Sequence, residues 1–172
     1  MNINIRGRLF DLSKPKVMGI LNLTPDSFYD GGVHNEINKI EDHVNKMVND
    51  GMDILDIGGY SSKPGAKNIS VDEELSRVIP ILKHIRKIFP ELVISIDTFR
   101  SKIASASLNE GADIINDISS GTLDKNMMSV VAKNNCPYIL MHMQGNPQNM
   151  QNDPSYENVT LEIIKYLAQR IR

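Results

Sequence analysis

Five short apolar runs in this 172-residue chain each stop at a side chain able to hydrogen-bond or ionise. Residues 19–22 end on Asn22, 53–56 on Asp56, 94–97 on Asp97, 113–116 on Asn116 and 139–142 on His142. If the strands carrying them run parallel, their C-terminal ends face one side, and the five polar tips form a ring at that mouth. Any one of them alone is as readily a strand-end or helix-cap residue; five at the same place in successive units point to a binding site. Two loops at the same end add to this. Residues 22–32 combine Pro25, Asp26, Asp30 and the pair Gly31-Gly32, and residues 58–66 carry Gly58-Gly59, Ser61, Ser62, Lys63 and Pro64-Gly65. Glycine allows close backbone approach, hydroxyls and amides bind anion oxygens, and Lys63 supplies positive charge, so the second loop suits a phosphate-bearing ligand. It matches neither the eight-residue phosphate loop nor the dinucleotide glycine fingerprint.

The elements that must position this ring alternate regularly. Strands are expected at residues 16–21, 53–57, 92–96, 114–116 and 138–141. Apolar stripes at helical spacing predict helices over 36–50, from a Ser70–Glu73 capping box onward, over 99–110 capped by Thr98, over 124–134 and over 155–172. Pro80 inside the second stripe predicts a kink or a later start. Strand followed by helix, five times over, implies an α/β fold with parallel pairing and right-handed crossovers. The segments 49–56 and 109–116 resemble each other, each with a glycine closing a helix, then an Asp, then an apolar strand. Two units built alike support an α/β barrel or a doubly wound sheet. Residues 2–5 and 8–11 read as a small hairpin ahead of the first parallel strand. No linker or domain boundary interrupts residues 1–172, which read as one domain.

Composition narrows the function classes. With 19 Lys+Arg against 21 Asp+Glu the net charge is −2, which gives no reason to expect nucleic-acid or membrane binding. Apolar residues make up 41%, enough for a core. No run approaches the roughly 18 apolar residues of a membrane span. The lone Cys136 excludes an internal disulfide and a Cys-rich metal site. A cytoplasmic protein is expected. His34, His43 and His84 lack ligand spacing and read as surface or capping residues, Cys136 as a small buried hydrophobe, and the methionines as core filler.

Read as ordered motifs, residues 18–28, 56–59 with 64–66, 95–98, 114–117 and 141–145 resemble the dihydropteroate synthase family of pterin-binding enzymes. The resemblance spans residues 18 to 145. It implies a TIM barrel that condenses 4-aminobenzoate with 6-hydroxymethyl-7,8-dihydropterin diphosphate, giving 7,8-dihydropteroate and pyrophosphate. It implies that Asn22 helps bind Mg²⁺ and that Asp97 and Asn116 hydrogen-bond the pterin, these three forming the catalytic set. Substrate contacts are implied at Thr24, Asp26, Phe28, Asp56, Ser62, Lys63, Pro64 and Met141, with Phe28 and Pro64 shaping the aminobenzoate pocket. Ser62 stands where the family usually has Thr. Lys63 stands where it usually has Arg, keeping the charge but losing the bidentate fork. Tyr60 replaces a common Glu. A homodimer of the full-length protein is also implied.

A TIM barrel takes eight βα units and at least about 200 residues. Five units are present here, and the family's later motifs are not: a strand-six Asp-Pro-Gly segment, a pterin-contacting Lys and an Arg-x-His anion site. The chain is therefore expected to be the N-terminal portion of such a barrel, truncated after the fifth unit and inactive alone. Two other functions compete: a ligand-binding fragment without turnover, and a corrinoid-linked methyltransferase on the same barrel.

Overall fold

The computed structural model describes residues 1–23, 33–61 and 68–171, the side chains of 33–36 excepted. An antiparallel hairpin comes first, β1 (Asn2–Ile5) and β2 (Arg8–Asp11). Its two turn residues, Arg6 and Gly7, have φ of 51° and 77°, the left-handed pair that matches the twist of the flanking strands. Then follow β3 (Met18–Asn22), α1 (Val33–Asn49), β4 (Ile54–Gly58), α2 (Val71–Ile88), β5 (Val93–Asp97), α3 (Ser101–Asn109), β6 (Ile114–Asp117), α4 (Met127–Asn134), β7 (Tyr138–Leu140) and α5 (Val159–Arg170).

Strands β3 to β7 pair in parallel in strict sequence order. A doubly wound sheet reverses its strand order at a switch point; this sheet does not, and its winding is that of a barrel. On the outer face Leu21, Leu55, Ile57, Ile94, Ile96 and Ile115 are almost wholly buried, packed with Val44 of α1, Val78, Leu82 and Ile85 of α2, Ile103 of α3 and Met127 of α4. Each of these larger side chains is worth roughly 1.5–3 kcal/mol when taken out of water, so this layer is the main source of stability.

The inner face changes character along the strands. At the bottom, Met18, Ile54 and Val93 share one register row. They join Ile114, Ile139 and the hairpin residues Ile3, Ile5 and Phe10 in a second apolar cluster, so the hairpin plugs that end. One pleat higher the row reads Ile20, Asp56, Ser95, Ile114, and above it Asn22, Gly58, Asp97, Asn116, Ile139. The interior thus runs from apolar plug to polar mouth within two pleats.

The internal repeat has a structural counterpart. Gly51 and Gly111 both take the left-handed conformation that ends a helix, with φ of 97° and 95°. The Asp two residues later then reaches across to the preceding strand's chain: Asp53 accepts the Val17 amide at 2.9 Å and Asp113 the Ile94 amide at 2.8 Å.

Four expectations are corrected. Helix α2 starts where the Ser70 cap places it, Ser70 Oγ accepting the Glu73 amide at 3.0 Å, and it runs on through Pro80. Pro80, which has no amide to give the Ser76 carbonyl, lies with Ser76 on the exposed face, where an open carbonyl costs little. Helix α3 starts at Ser101 rather than 99, and its first amide is taken by Asp124 Oδ2 at 2.7 Å rather than by Thr98. Helix α5 starts at Val159 rather than 155, capped by Asn158 Oδ1 on the Leu161 amide at 3.0 Å. Strand β7 ends at Leu140, and His142 lies beyond it.

Candidate active site

Asn22, Gly58, Asp97 and Asn116 occupy one register row at the C-terminal ends of β3 to β6. Strand alternation puts Asp56 on the same face one pleat below. The side chains converge. Asn116 Nδ2 donates to Asp56 Oδ2 at 3.0 Å. A methyl group placed on Gly58 would lie 3.4 Å from Asn22 Oδ1 and 3.5 Å from Asp97 Oδ2. The missing Cβ of Gly58 therefore leaves a cradle between an amide oxygen and a carboxylate oxygen.

Burial sets the charge state of this row. Asp56 is buried, which raises its carboxyl above the ordinary range, opposed by the Ser95 hydroxyl and the Asn116 amide. The Ser95 hydroxyl is near enough to favour the charged form, yet neither Ser95 Oγ nor the buried Asp56 Oδ1 completes a hydrogen bond. A buried acceptor left open in this way costs stability unless a ligand donor fills it. Asp97 is pushed up to about 7, by burial first and then by the negative charges of Asp56, Glu74 and Asp117. Burial of both carboxyls, and like charge on Asp97, cost the fold stability, and at the open ends of parallel strands that fits a ligand-binding role.

Behind the row stands a support absent from the sequence reading. Thr98, the residue after Asp97, donates to Glu74 Oε1 at 2.8 Å, and Arg100 Nη1 donates to Glu74 Oε2 at 2.7 Å. Glu74 is fully buried, and its carboxyl is raised by burial despite the hydroxyl and guanidinium on it. Its signal in the sequence is positional: Glu74, Val78, Ile81, Leu82 and Ile85 are the buried face of α2, and an acid on an apolar stripe requires a partner. Two neighbouring glycines separate site from scaffold. A Cβ on Gly58 makes ordinary contacts, whereas one on Gly59 would stand 2.6 Å from Val78 Cγ2. Gly59→Ala should therefore lower stability by about 1–3 kcal/mol through overpacking, while Gly58→Ala folds with stability within about 1 kcal/mol of wild type and fills the cradle. Thermal unfolding of the two variants checks this, and equal losses would refute it.

Of the residues expected to act, Asn22, Asp56, Asp97 and Asn116 are brought together. His142 is not: β7 supplies Ile139 to the row, and His142 packs between the rings of Tyr156 and Tyr166, with centroids at 5.7 and 4.9 Å. Met141 is tied by its backbone, which gives its amide to Ser120 Oγ at 2.9 Å and accepts the Ser120 hydroxyl at 2.7 Å. Thr24, Asp26, Phe28, Ser62, Lys63 and Pro64 lie outside the described residues. Among the described residues no group of three His, Cys, Asp or Glu could hold a metal ion. Asn22 Oδ1, beside Gly58, could join a hard cation that takes most of its ligands from phosphate and water.

The model of the pterin-binding enzyme family matches residues 18–172. The chain belongs to this family. The dihydropteroate synthase of Escherichia coli is 46% identical to it over 171 residues, covering 99% of this chain and 60% of that protein. The sulfonamide complex of Yersinia pestis dihydropteroate synthase superposes with a TM-score of 0.88 at 40% identity, covering 99% of this chain and 61% of that one. A Burkholderia cenocepacia dihydropteroate synthase complexed with 7,8-dihydropteroate does so with a TM-score of 0.82 at 35% identity, covering 98% and 56%. The chain thus spans about 60% of the length of these dihydropteroate synthases. Its TIM-barrel fold, present as five consecutive βα units, follows from these likenesses and from the strand order.

Proposed function

We propose that this chain forms the pterin-binding wall of a dihydropteroate synthase, which joins 4-aminobenzoate to 6-hydroxymethyl-7,8-dihydropterin diphosphate and releases pyrophosphate. The observation that carries the reading is the row Asn22–Gly58–Asp97–Asn116 above a buried Asp56 with one oxygen unfilled. A 2-aminopterin presents a run of N–H donors with a ring acceptor beside them. Asp56 Oδ1 and the Asp97 carboxylate accept from such an edge, and the Asn116 amide offers both a donor and an acceptor. The relatives' names and the dihydropteroate bound in one of them support the same assignment.

In the reaction the C–O bond between the pterin methylene and the diphosphate breaks, and the electron pair leaves with pyrophosphate. The aromatic amine adds to the methylene and gives its proton to solvent. Little general base is required. Asp97, Asp56 and Asn116 hold the ring that carries the positive charge developing on the methylene, and the carboxylates stabilise that charge. The apolar floor made with the hairpin keeps water from the inner end. Asn22, beside the Gly58 cradle, would hold Mg²⁺ against the diphosphate, whose charge Lys63 would help to balance. The metal's contribution when bound is to neutralise the departing pyrophosphate.

Five of a barrel's eight βα units make up this wall, so turnover is assigned to protein in which the barrel is closed. A cytoplasmic location is part of this proposal, and among the described residues no helix is long and apolar enough to cross a membrane.

Calorimetric titration of the chain with the pterin diphosphate and Mg²⁺ tests the reading. Binding is expected, weakened at least tenfold by Gly58→Ala. Absence of binding by folded wild-type protein, or undiminished binding by Gly58→Ala, would overturn it.

A further inference from the structure

Tyr60 follows the Gly58-Gly59 pair and is only 6% exposed. Its ring stands edge-on to Phe99, with centroids 5.0 Å apart at 83°, and the Arg100 guanidinium lies 5.2 Å from the centroid of each ring. Its hydroxyl does two things. It donates to Asn68 Oδ1, and it accepts from Gln148 Nε2 at 3.0 Å. Gln148 Nε2 also lies 3.4 Å from that same Asn68 oxygen. Tyr60 and Asn68 bracket the β4–α2 loop on its two sides, while Gln148 belongs to the β7–α5 loop, 88 residues along the chain from Tyr60. The Asn68 side is tied down again by Arg100, which donates to Ile69 O at 2.8 Å and Ser70 O at 3.3 Å. Arg100 in turn shares Glu74 with Thr98, the neighbour of Asp97.

We infer that Tyr60 is a positioning residue: its hydroxyl, clasped by Gln148 across the mouth, fixes the two ends of the β4–α2 loop relative to the opposite rim and to Asp97. The arrangement has what such a role requires. The phenol is rigid, buried and held on both ring and hydroxyl, so removing the oxygen leaves the packing in place. The clasp joins loops from strands that do not pair with each other, and backbone hydrogen bonding in the sheet does not set their separation. On the reading proposed above, on which only this step rests, the diphosphate lies beside Gly58 at the end of β4, two residues before Tyr60, so the clasp serves the diphosphate rather than the pterin ring.

Tyr60→Phe, Gln148→Ala and the double variant test the inference by hydrogen exchange of the free protein. Each single variant should speed exchange in the peptide covering 60–70 at least about fivefold, since each removes the Tyr60–Gln148 bond together with one bond to Asn68. The double variant should be faster than either single variant but short of their product, because the Tyr60–Gln148 bond is lost in both singles while each leaves one bond to Asn68. Exchange within α1 should not change. An unchanged peptide in Tyr60→Phe, or single effects that multiply in the double variant, would overturn the clasp. A second measurement separates positioning from stability. Affinity for the pterin diphosphate with Mg²⁺ should fall about fivefold in both single variants, while affinity for 6-hydroxymethyl-7,8-dihydropterin itself stays within twofold. Equal losses for both ligands would refute a positioning role. If wild-type protein binds neither, the functional reading fails, and the exchange experiment alone decides the clasp.

Discussion

Asp97→Asn is expected to stabilise the protein at pH 8 and to disable it. In the native state burial and the charges of Asp56, Glu74 and Asp117 lift the Asp97 carboxyl from 3.8 to about 7. In the unfolded chain it titrates near its ordinary value. Between those two pH values the native state holds a proton that the unfolded state has released. Stability therefore falls as pH rises through this window and levels off above it, the reverse of a salt-bridged carboxylate. The span of about three pH units corresponds to about 4 kcal/mol of stability forgone at pH 8. An isosteric amide carries no charge to bury, so Asp97→Asn should recover much of that difference at pH 8 and none at pH 4. A shallower slope of the same sign should remain, since burial also raises the carboxyls of Asp56 and Glu74. Urea unfolding at the two pH values measures both quantities. The variant should also bind the pterin diphosphate about 100-fold more weakly, because an N–H₂ replaces a charged acceptor facing a donor-rich edge. A variant less stable than wild type at pH 8 would refute the electrostatic account. Stability gained where binding is lost is what a strained functional site implies.

Asp113→Ala should produce the largest loss of stability, through residues remote from the mouth. The Asp113 side chain is wholly buried at the start of β6 and holds three groups. Arg6 Nε of the hairpin lies 2.7 Å from Oδ1, Arg86 Nη2 of α2 lies 2.7 Å from Oδ2, and the Ile94 amide donates to Oδ2 at 2.8 Å. Arg86 also donates to the carbonyls of Gly111, Leu92 and Pro90, and its guanidinium pKa is lowered by burial. Removing the carboxylate strands a half-buried cation and a buried amide. Breaking such a pair from one side costs about 3–5 kcal/mol, or roughly 10 °C in Tm for a domain of this size. Arg6→Ala should cost far less, about 1 kcal/mol, because Arg6 is 42% exposed and Arg86 still compensates the acid. Equal losses from the two substitutions would show that the hairpin, not the Arg86–Asp113 pair, carries the stability.

Much of this was legible in the residues. The apolar runs and helical stripes placed all five βα units, because period and strand length are local properties of a chain. Asn22, Asp56, Asp97 and Asn116 could be named because parallel crossovers force strand ends to one side. The Ser70 cap was legible for the same local reason. The failures were non-local. Thr98 looked like a cap for α3, but its hydroxyl, donating to buried Glu74, accepts the amide of Arg100 ahead of the helix, and Asp124, 23 residues on from Ser101, takes the first helical amide. His142 looked like a fifth member of the ring, but β7 is three residues long and ends before it.

The sequence by itself determined the order of the units, the polar ending of each strand and membership in a pterin-binding family. Only the tertiary structure decided that Asp97 holds its proton to about neutrality, that Asp56 keeps an open oxygen, and that Tyr60 meets Gln148 across the mouth. Desolvation, Coulomb repulsion and hydrogen bonding act over a few ångströms. Across four strands those distances are set by register and packing, which no local pattern of residues encodes.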